Sequence, residues 1–365
     1  MQKGIIAFFL VGLILILAGC GQPSVPPDSQ PAPLQSSQRS FEMGFVPVPK
    51  QPLSTENWLD AFSVLKANSD FVLHHSKPDW NAFAETTEAA RSLELTPNLE
   101  GVNFIVLMTR QNSLKVFLVV DPLASDREQI DGKLYEAFPS TQFEQPLSFG
   151  SSFVRDAFKN YAVRLARDYK PEIMGLGSEV NTYMQKHPED ADNLVSLIRE
   201  TAVLVKQESP NTKITATMQF ESLTGTFGSG SSQWEIFNKI TSIVDYAAIT
   251  TYPSLVFENP EKIPENYYSQ LNLHTSKPII IAESGWPTGG SSEFHGSSEN
   301  QKDFVAKIPE LAKEINLKLW IWWFLHDWQG EGYPDYFKTM GLKTSDGQEK
   351  PAWKTWQQIF ALPKK

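Results

Sequence analysis

The sequence predicts an α/β fold, a (β/α)8 TIM barrel, and three observations carry that prediction. From residue 41 onward, short apolar runs alternate with amphipathic segments of helical period, the pattern of parallel strands joined by helices. Two of the runs lead straight to a glutamate, Glu179 after 173–176 and Glu283 after 279–282, and a barrel presents its reactive side chains where its strands end. No Gly-rich phosphate loop follows the first strand, which removes a nucleotide-binding doubly wound sheet. With 365 residues, 41% hydrophobic and 12% aromatic, the chain can build one barrel of about 250 residues with long loops.

The elements follow in order. Strand one covers 41–46, and a helix over 55–67 places Trp58, Leu59, Phe62 and Leu65 on one face. Strand two, 70–75, opens into a polar and aromatic loop through Trp80. A helix over 98–112 precedes strand three, 115–121, and 125–150 reads as a long irregular polar loop. Val154, Phe158, Tyr161, Leu165 and Tyr169 recur at helical spacing from Ser152 until Pro171 closes the helix. Strand four, 173–176, a helix over 192–207 and strand five, 214–218, come next, then a Gly/Ser loop at 224–232 and a helix over 234–240. Strand six, 244–249, runs into Thr250-Thr251-Tyr252-Pro253, and a helix near 264–273 precedes strand seven, 278–282. The next helix starts near Ser298, with Pro309 expected to kink or restart it. Strand eight is 319–323 and the closing helix 351–359.

Before the barrel lie a charged start at Lys3, an apolar core over 5–17 and Leu17-Ala18-Gly19-Cys20. This reads as a signal peptide at 1–19, too short for a comfortable membrane span. Its last four residues resemble a bacterial lipobox, which implies that Cys20 is diacylated and anchors an exported protein to a bacterial membrane. Residues 20–40, rich in Pro, Ser and Gln, form a tether, and 41–365 the barrel. Cys20 is the only cysteine, so the chain forms no disulfide of its own. The net charge of −10 leaves no basic footprint for nucleic acid, and His74-His75 does not have metal-ligand spacing because strand neighbours face opposite ways. No cofactor is called for, and a monomer is expected.

Two strand-end carboxylates suggest glycoside hydrolysis. Cleaving a sugar acetal needs a proton for the leaving oxygen and negative charge beneath the anomeric carbon, and a retaining enzyme sets its two carboxyls about 5–5.5 Å apart. One of the two pKa values is then raised by an apolar pocket or by the neighbouring charge. Tyr252, at the end of strand six, is placed to hydrogen-bond the nucleophile, and Trp323 to offer a flat apolar platform to a pyranose ring. Trp320 and Trp322 read as packing. Ser178, Asn181, Trp286, His75 and Asp121 complete the substrate-binding candidates, with Trp80, His326 and Asp327 as further cleft residues.

Glutamates at the ends of strands four and seven resemble clan A of the retaining glycoside hydrolases, over essentially all of 41–359. That resemblance implies Glu179 as acid/base and Glu283 as nucleophile. Glu283-Ser284-Gly285-Trp286-Pro287 looks like the nucleophile motif of family 17 endo-β-1,3-glucanases. Thr251-Tyr252-Pro253 is similar to that family and to family 53 endo-β-1,4-galactanases. Gly177-Ser178-Glu179-Val180-Asn181 resembles their acid/base motif, with Ser178 where the clan has an Asn that binds the substrate 2-hydroxyl. Strand two ends in His74-His75, where many clan members have an Arg. The resemblance implies an endo-β-glycosidase acting on β-1,3-glucan or β-1,4-galactan. The competing class is a catalytically silent carbohydrate-binding lipoprotein on the same barrel.

Overall fold

The computed structural model describes residues 38–80, 82–83, 96–131, 147–228, 230–289, 294–331 and 333–365. The signal peptide at 1–19, Cys20 and the tether to residue 37 lie outside them. Strands β1 (Glu42–Val46), β2 (Phe71–Ser76), β3 (Lys115–Val120), β4 (Ile173–Leu176), β5 (Lys213–Thr215), β6 (Thr217–Gln219), β7 (Ala247–Thr251), β8 (Ile279–Ser284) and β9 (Leu317–Phe324) form one parallel sheet. The spatial order is β5-β4-β3-β2-β1-β9-β8-β7-β6. Its two ends, β5 and β6, are the halves of a single chain segment interrupted at Ala216. The lower half pairs with β4 and the upper half with β7, so one bent strand joins both edges and closes the barrel. The strand expected at 214–218 is therefore present but broken, because its neighbours engage it at different heights.

Helices α1 (Thr55–Asn68), α2 (Pro97–Gln111), α3 (Ser152–Tyr169), α4 (Val180–Lys186), α5 (Ala191–Glu208), α6 (Phe220–Leu223), α7 (Trp234–Thr241), α8 (Ser298–Leu311), α9 (Asp335–Lys338) and α10 (Pro351–Phe360) cover or cap the strands. Local chemistry sets several starts. The Ser54, Thr96 and Ser297 side chains accept from the first free N–H groups of α1, α2 and α8, and proline occupies the first turn of α2 and α10. Three expectations need correction. The strand expected at 244–249 forms as β7, starting at Ala247, because Asp245 and Tyr246 wrap their N–H groups around the Ile214 carbonyl instead of joining the ladder. The helix expected near 264–273 is a series of turns ending in a 3-10 segment, Ser269–Leu273. There Tyr267 and Tyr268 both turn inward, to Glu221 and Thr251, which successive positions of one α-helical stripe do not favour. Helix α8 runs through Pro309 to Leu311 without restarting, since the proline sits in its last turn, where little ladder remains to be broken.

Two apolar layers follow from strand alternation. Phe71, Leu73, Phe117, Val119, Ile280, Ala282, Leu319 and Ile321 fill the barrel interior. Their neighbours Val72, Val116, Leu118, Ile279, Ile281, Trp320 and Trp322 pack outward against the helices. At the floor, Arg39 ties both chain ends together. Its N–H donates to the Pro363 carbonyl and its own carbonyl accepts from Lys365, while its guanidinium donates to Asp70 (2.8 Å), Phe41 O and Phe360 O. The tether expected to reach Ser40 is thus already part of the barrel at Arg39. Only 4% of this side chain is exposed. Replacing Arg39 with Ala strands the Asp70 carboxylate with Lys364 as its remaining cation, and the loss expected in urea unfolding is about 3 kcal/mol.

Candidate active site

The C-terminal ends of the strands open into a cavity of about 970 Å³, at the upper end of the range typical of small-molecule sites. Glu179, Glu283, Tyr252, Trp323, Asp121 and His75 all line it. Ser178, Asn181 and Trp286 do not.

Glu179 reaches the mouth through two unusual backbone steps. Gly177 turns the chain after β4 with φ of 118°, and a Cβ there would lie 2.6 Å from Val180 Cγ1, so only glycine fits. Glu179 then takes a left-handed conformation, φ 53° and ψ 38°, which costs a residue bearing a Cβ about 1–2 kcal/mol. Its N–H donates to Thr217 Oγ1 at 3.0 Å, fixing that turn at the head of α4. Its carboxyl faces the cavity, accepting from Thr250 Oγ1 at 2.6 Å and from Arg127 Nε at 3.1 Å.

Glu283 arrives by a different device. Ile281 is paired with Ile249 and Glu283 with Thr250, so Ala282 is an extra residue in β8. Simple alternation would aim Glu283 at the helices, as it does Ile281; the bulge re-aims it inward. Tyr252 donates its hydroxyl to one Glu283 oxygen at 2.9 Å. His75 Nε2 stands 2.9 Å from the other, near enough to feel its charge but not aligned as a hydrogen bond. Trp323 meets the His75 ring edge-on at 5.5 Å, leaving the indole among the lining groups.

The two carboxyls have unlike surroundings. Burial raises the pKa of Glu179 above the ordinary carboxylate value, and Glu283 adds to the rise, while Arg127 and Thr250 oppose it. Tyr252 is pushed well above the usual phenol value by burial and by both glutamates, so it stays a neutral donor to Glu283. One carboxyl is thus suited to carry a proton and the other is supplied with a donor that favours its charge.

Several contributors were not apparent from the sequence. Arg127 lies in the polar stretch Ser125-Asp126-Arg127-Glu128, where nothing marks it except its place shortly after Asp121. The fold turns that stretch into a short hairpin, with Leu123 bridged to Ile130, and drives Arg127 into the cavity against Asp121 and Glu179. Lys77 pairs with Asp121 from the other side at 2.7 Å. Burial works against the charge of Asp121, but Arg127 and Lys77 more than offset it and hold its carboxyl below the usual range. Glu221, on α6, is fully buried beneath Tyr252. It accepts from Thr251 Oγ1 (2.6 Å), Tyr267 hydroxyl (2.8 Å) and the Tyr252 N–H (3.1 Å), with Gln219 Nε2 on its second oxygen.

The remaining candidates are structural. Trp286 is wholly buried, with its indole N–H donated to the His295 carbonyl and its ring against Phe304, so it packs under the loop after β8. Asn181 is spent on Gln219 backbone and Gln233, and Ser178 lies within the turn, its hydroxyl accepting from Thr217. Trp80 belongs to the outer core. His326 donates to the Val48 carbonyl, and Asp327 is held by Lys350 and the Gly341 N–H.

No protein family and no curated protein is matched by the sequence. Solved structures are. The GH5_18 protein of Bifidobacterium longum subsp. longum ATCC 55813 superposes with a TM-score of 0.66 at 16% identity, over 90% of this chain and 81% of that one. The GH5_18 protein of Streptomyces cattleya in complex with GlcNAc gives 0.64 at 18% identity, over 88% and 80%. The fold is the (β/α)8 barrel of glycoside hydrolases. An exo-β-1,4-mannosidase of Opitutaceae bacterium strain TAV5 shares this glycoside hydrolase barrel at a TM-score of 0.63 and 12% identity, over 88% of this chain and 59% of that one.

Within that barrel Glu221 gives a test independent of turnover. Burial raises its pKa, so the folded chain keeps a proton that the unfolded chain gives up above about pH 4.3. Its contribution to stability is complete below the unfolded pKa and is lost as pH rises through the folded one. Glu221→Gln replaces the oxygen facing Gln219 Nε2, which accepts in either protonation state, by an amide nitrogen that cannot, and is expected to melt lower than the parent. The gap in Tm between them should narrow as pH is raised from 4 to 7; a gap that widens contradicts this assignment.

Proposed function

We propose that this protein is a retaining β-glycosidase. The observation that carries the reading is the delivery of two glutamates, by a left-handed turn and by a bulge, into one cavity, where burial and the Glu283 charge hold the Glu179 pKa above the ordinary carboxylate value. In the first step Glu283 attacks the anomeric carbon while the Glu179 carboxylic acid gives its proton to the leaving glycosidic oxygen, so the C–O bond breaks and a glycosyl ester forms. In the second step Glu179, now a carboxylate, takes a proton from water; the resulting hydroxyl attacks the anomeric carbon and releases Glu283. Tyr252 orients Glu283 throughout, and Trp323 offers its apolar face to the sugar.

The substrate class in this reading is a β-linked oligosaccharide or polysaccharide. The motif at Glu283–Pro287 points to β-1,3-glucan and Thr251-Tyr252-Pro253 to β-1,3-glucan or β-1,4-galactan, whereas two of the similar structures are complexes with Manβ1-4GlcNAc. The test is release of reducing sugar by the domain, residues 38–365, from those two polymers and from Manβ1-4GlcNAc, mannan and xylan. Release from one of them is expected to fall at least a thousandfold in Glu283→Gln with folding intact, an order-of-magnitude figure for loss of a catalytic group. Glu179→Ala should lose most activity on poor leaving groups and regain part with azide. A Glu283→Gln variant of full rate sinks the mechanism.

A silent carbohydrate-binding protein is the second reading, and Ser178 supports it: a turned-away serine leaves the clan's 2-hydroxyl ligand without a counterpart at that position. Binding of a glycan with no turnover on any substrate would establish it. Export and lipid anchoring through Cys20 belong to the same proposal. Cys20→Ser is expected to move the protein from the membrane fraction to the soluble fraction of its host, and unchanged fractionation argues against the anchor.

A further inference from the structure

The groups around the acid/base candidate form a continuous chain of contacts, Lys77 to Asp121 to Arg127 to Glu179 to Thr250. Its central member does not belong to a barrel strand. Arg127 sits at the tip of the hairpin after β3, in a left-handed conformation with φ of 63°. The hairpin is pinned by Ala124 N–H to Gln129 O (2.8 Å), Asp131 N–H to Pro122 O (2.9 Å) and Arg127 N–H to Ala124 O (3.0 Å). Asp121 does double duty, accepting from the Leu123 N–H with one oxygen and from Lys77 and the Arg127 guanidinium with the other. A strained backbone held this firmly around one side chain points to a purpose for that side chain.

The hairpin is also latched to the helix that Glu179 heads. His187, at the end of α4, has Nε2 2.9 Å from the Glu128 carbonyl, and Lys186 pairs with the Glu128 carboxylate at 3.1 Å. Thus Arg127 and Glu179, 52 residues apart in sequence, are fixed to each other through their side chains and through the elements that carry them.

We propose that Arg127 is a positioning residue for Glu179, its guanidinium anchored by Asp121 and holding one carboxyl oxygen while Thr250 holds the other, so that the carboxyl is fixed in the cavity wall. The proposal rests on reading Glu179 as the acid/base. Glu179 is faced by Arg127 from the hairpin, Glu283 from β8, Tyr252 beyond β7 and Tyr336 from α9. Of these, Arg127 is the one cation among the described residues that touches it. Its removal leaves burial and the Glu283 charge unopposed except by the Thr250 hydroxyl.

The test is the titration of Glu179 itself, followed by 13C NMR of glutamate-labelled protein with Glu179→Gln to assign the signal. In Arg127→Met the Glu179 transition is expected to move up by about one to three pH units, the range for losing an adjacent opposite charge. The alkaline limb of kcat/KM on an aryl β-glycoside should move with it. Arg127→Lys, should Arg127→Met fail to fold, retains charge without the planar fork; a smaller upward shift is expected, with a loss in kcat larger than any rise in KM. A Glu179 titration unchanged in a folded variant overturns the proposal. The NMR readout needs no turnover, so it stands even where every substrate is refused; hydrolysis that needs Glu283 but a titration indifferent to Arg127 would keep the enzyme and remove the positioning role.

Discussion

The arrangement depends on the cost of confining two carboxylates in one mouth. An isolated buried carboxylate is expensive, and two of them also repel each other. Everything near them can be understood as offsetting that cost unequally. Glu283 receives the Tyr252 hydroxyl and the nearby His75, while Glu179 receives the Arg127 guanidinium and a threonine, and burial still holds its pKa above the ordinary carboxylate value. The groups behind them are polar in turn: Asp121 holds Arg127, Lys77 holds Asp121, and Glu221 accepts from the Tyr252 N–H.

Backbone irregularity sits where it is used. Ideal strands alternate, and alternation alone places Ile281 and Glu283 on the same outward face. A single inserted residue reverses the aim of Glu283 without disturbing Ile280 below it. At β4 the equivalent task falls to a glycine and a left-handed glutamate. Beneath them the strands carry the alternating apolar layers.

This division accounts for what the sequence disclosed. The strand runs, the two glutamates, Tyr252 and Trp323 were legible because hydrophobic period and a strand-end position are both written locally. Arg127 and Glu221 were not, because each acquires its role from partners far along the chain and sits in a segment without periodicity. Trp286 shows the same limit: it follows an apolar run, and only the path of the chain after β8 turns it against Phe304, whereas alternation along β9 puts Trp323 on the cavity side. Asn181, beside a reactive residue in sequence, is one helical position beyond Val180 and therefore turned to Gln219 and Gln233. The break at Ala216 was invisible because closing a barrel is a property of the whole sheet.

The Arg39 clasp gives the molecule two poles. Both ends of the folded chain are fastened at the floor, where strands begin, and the cavity occupies the opposite pole, where they finish. Arg39 and Lys365 therefore lie on one side of the barrel, and the mouth is left facing the other, like a lamp above its base.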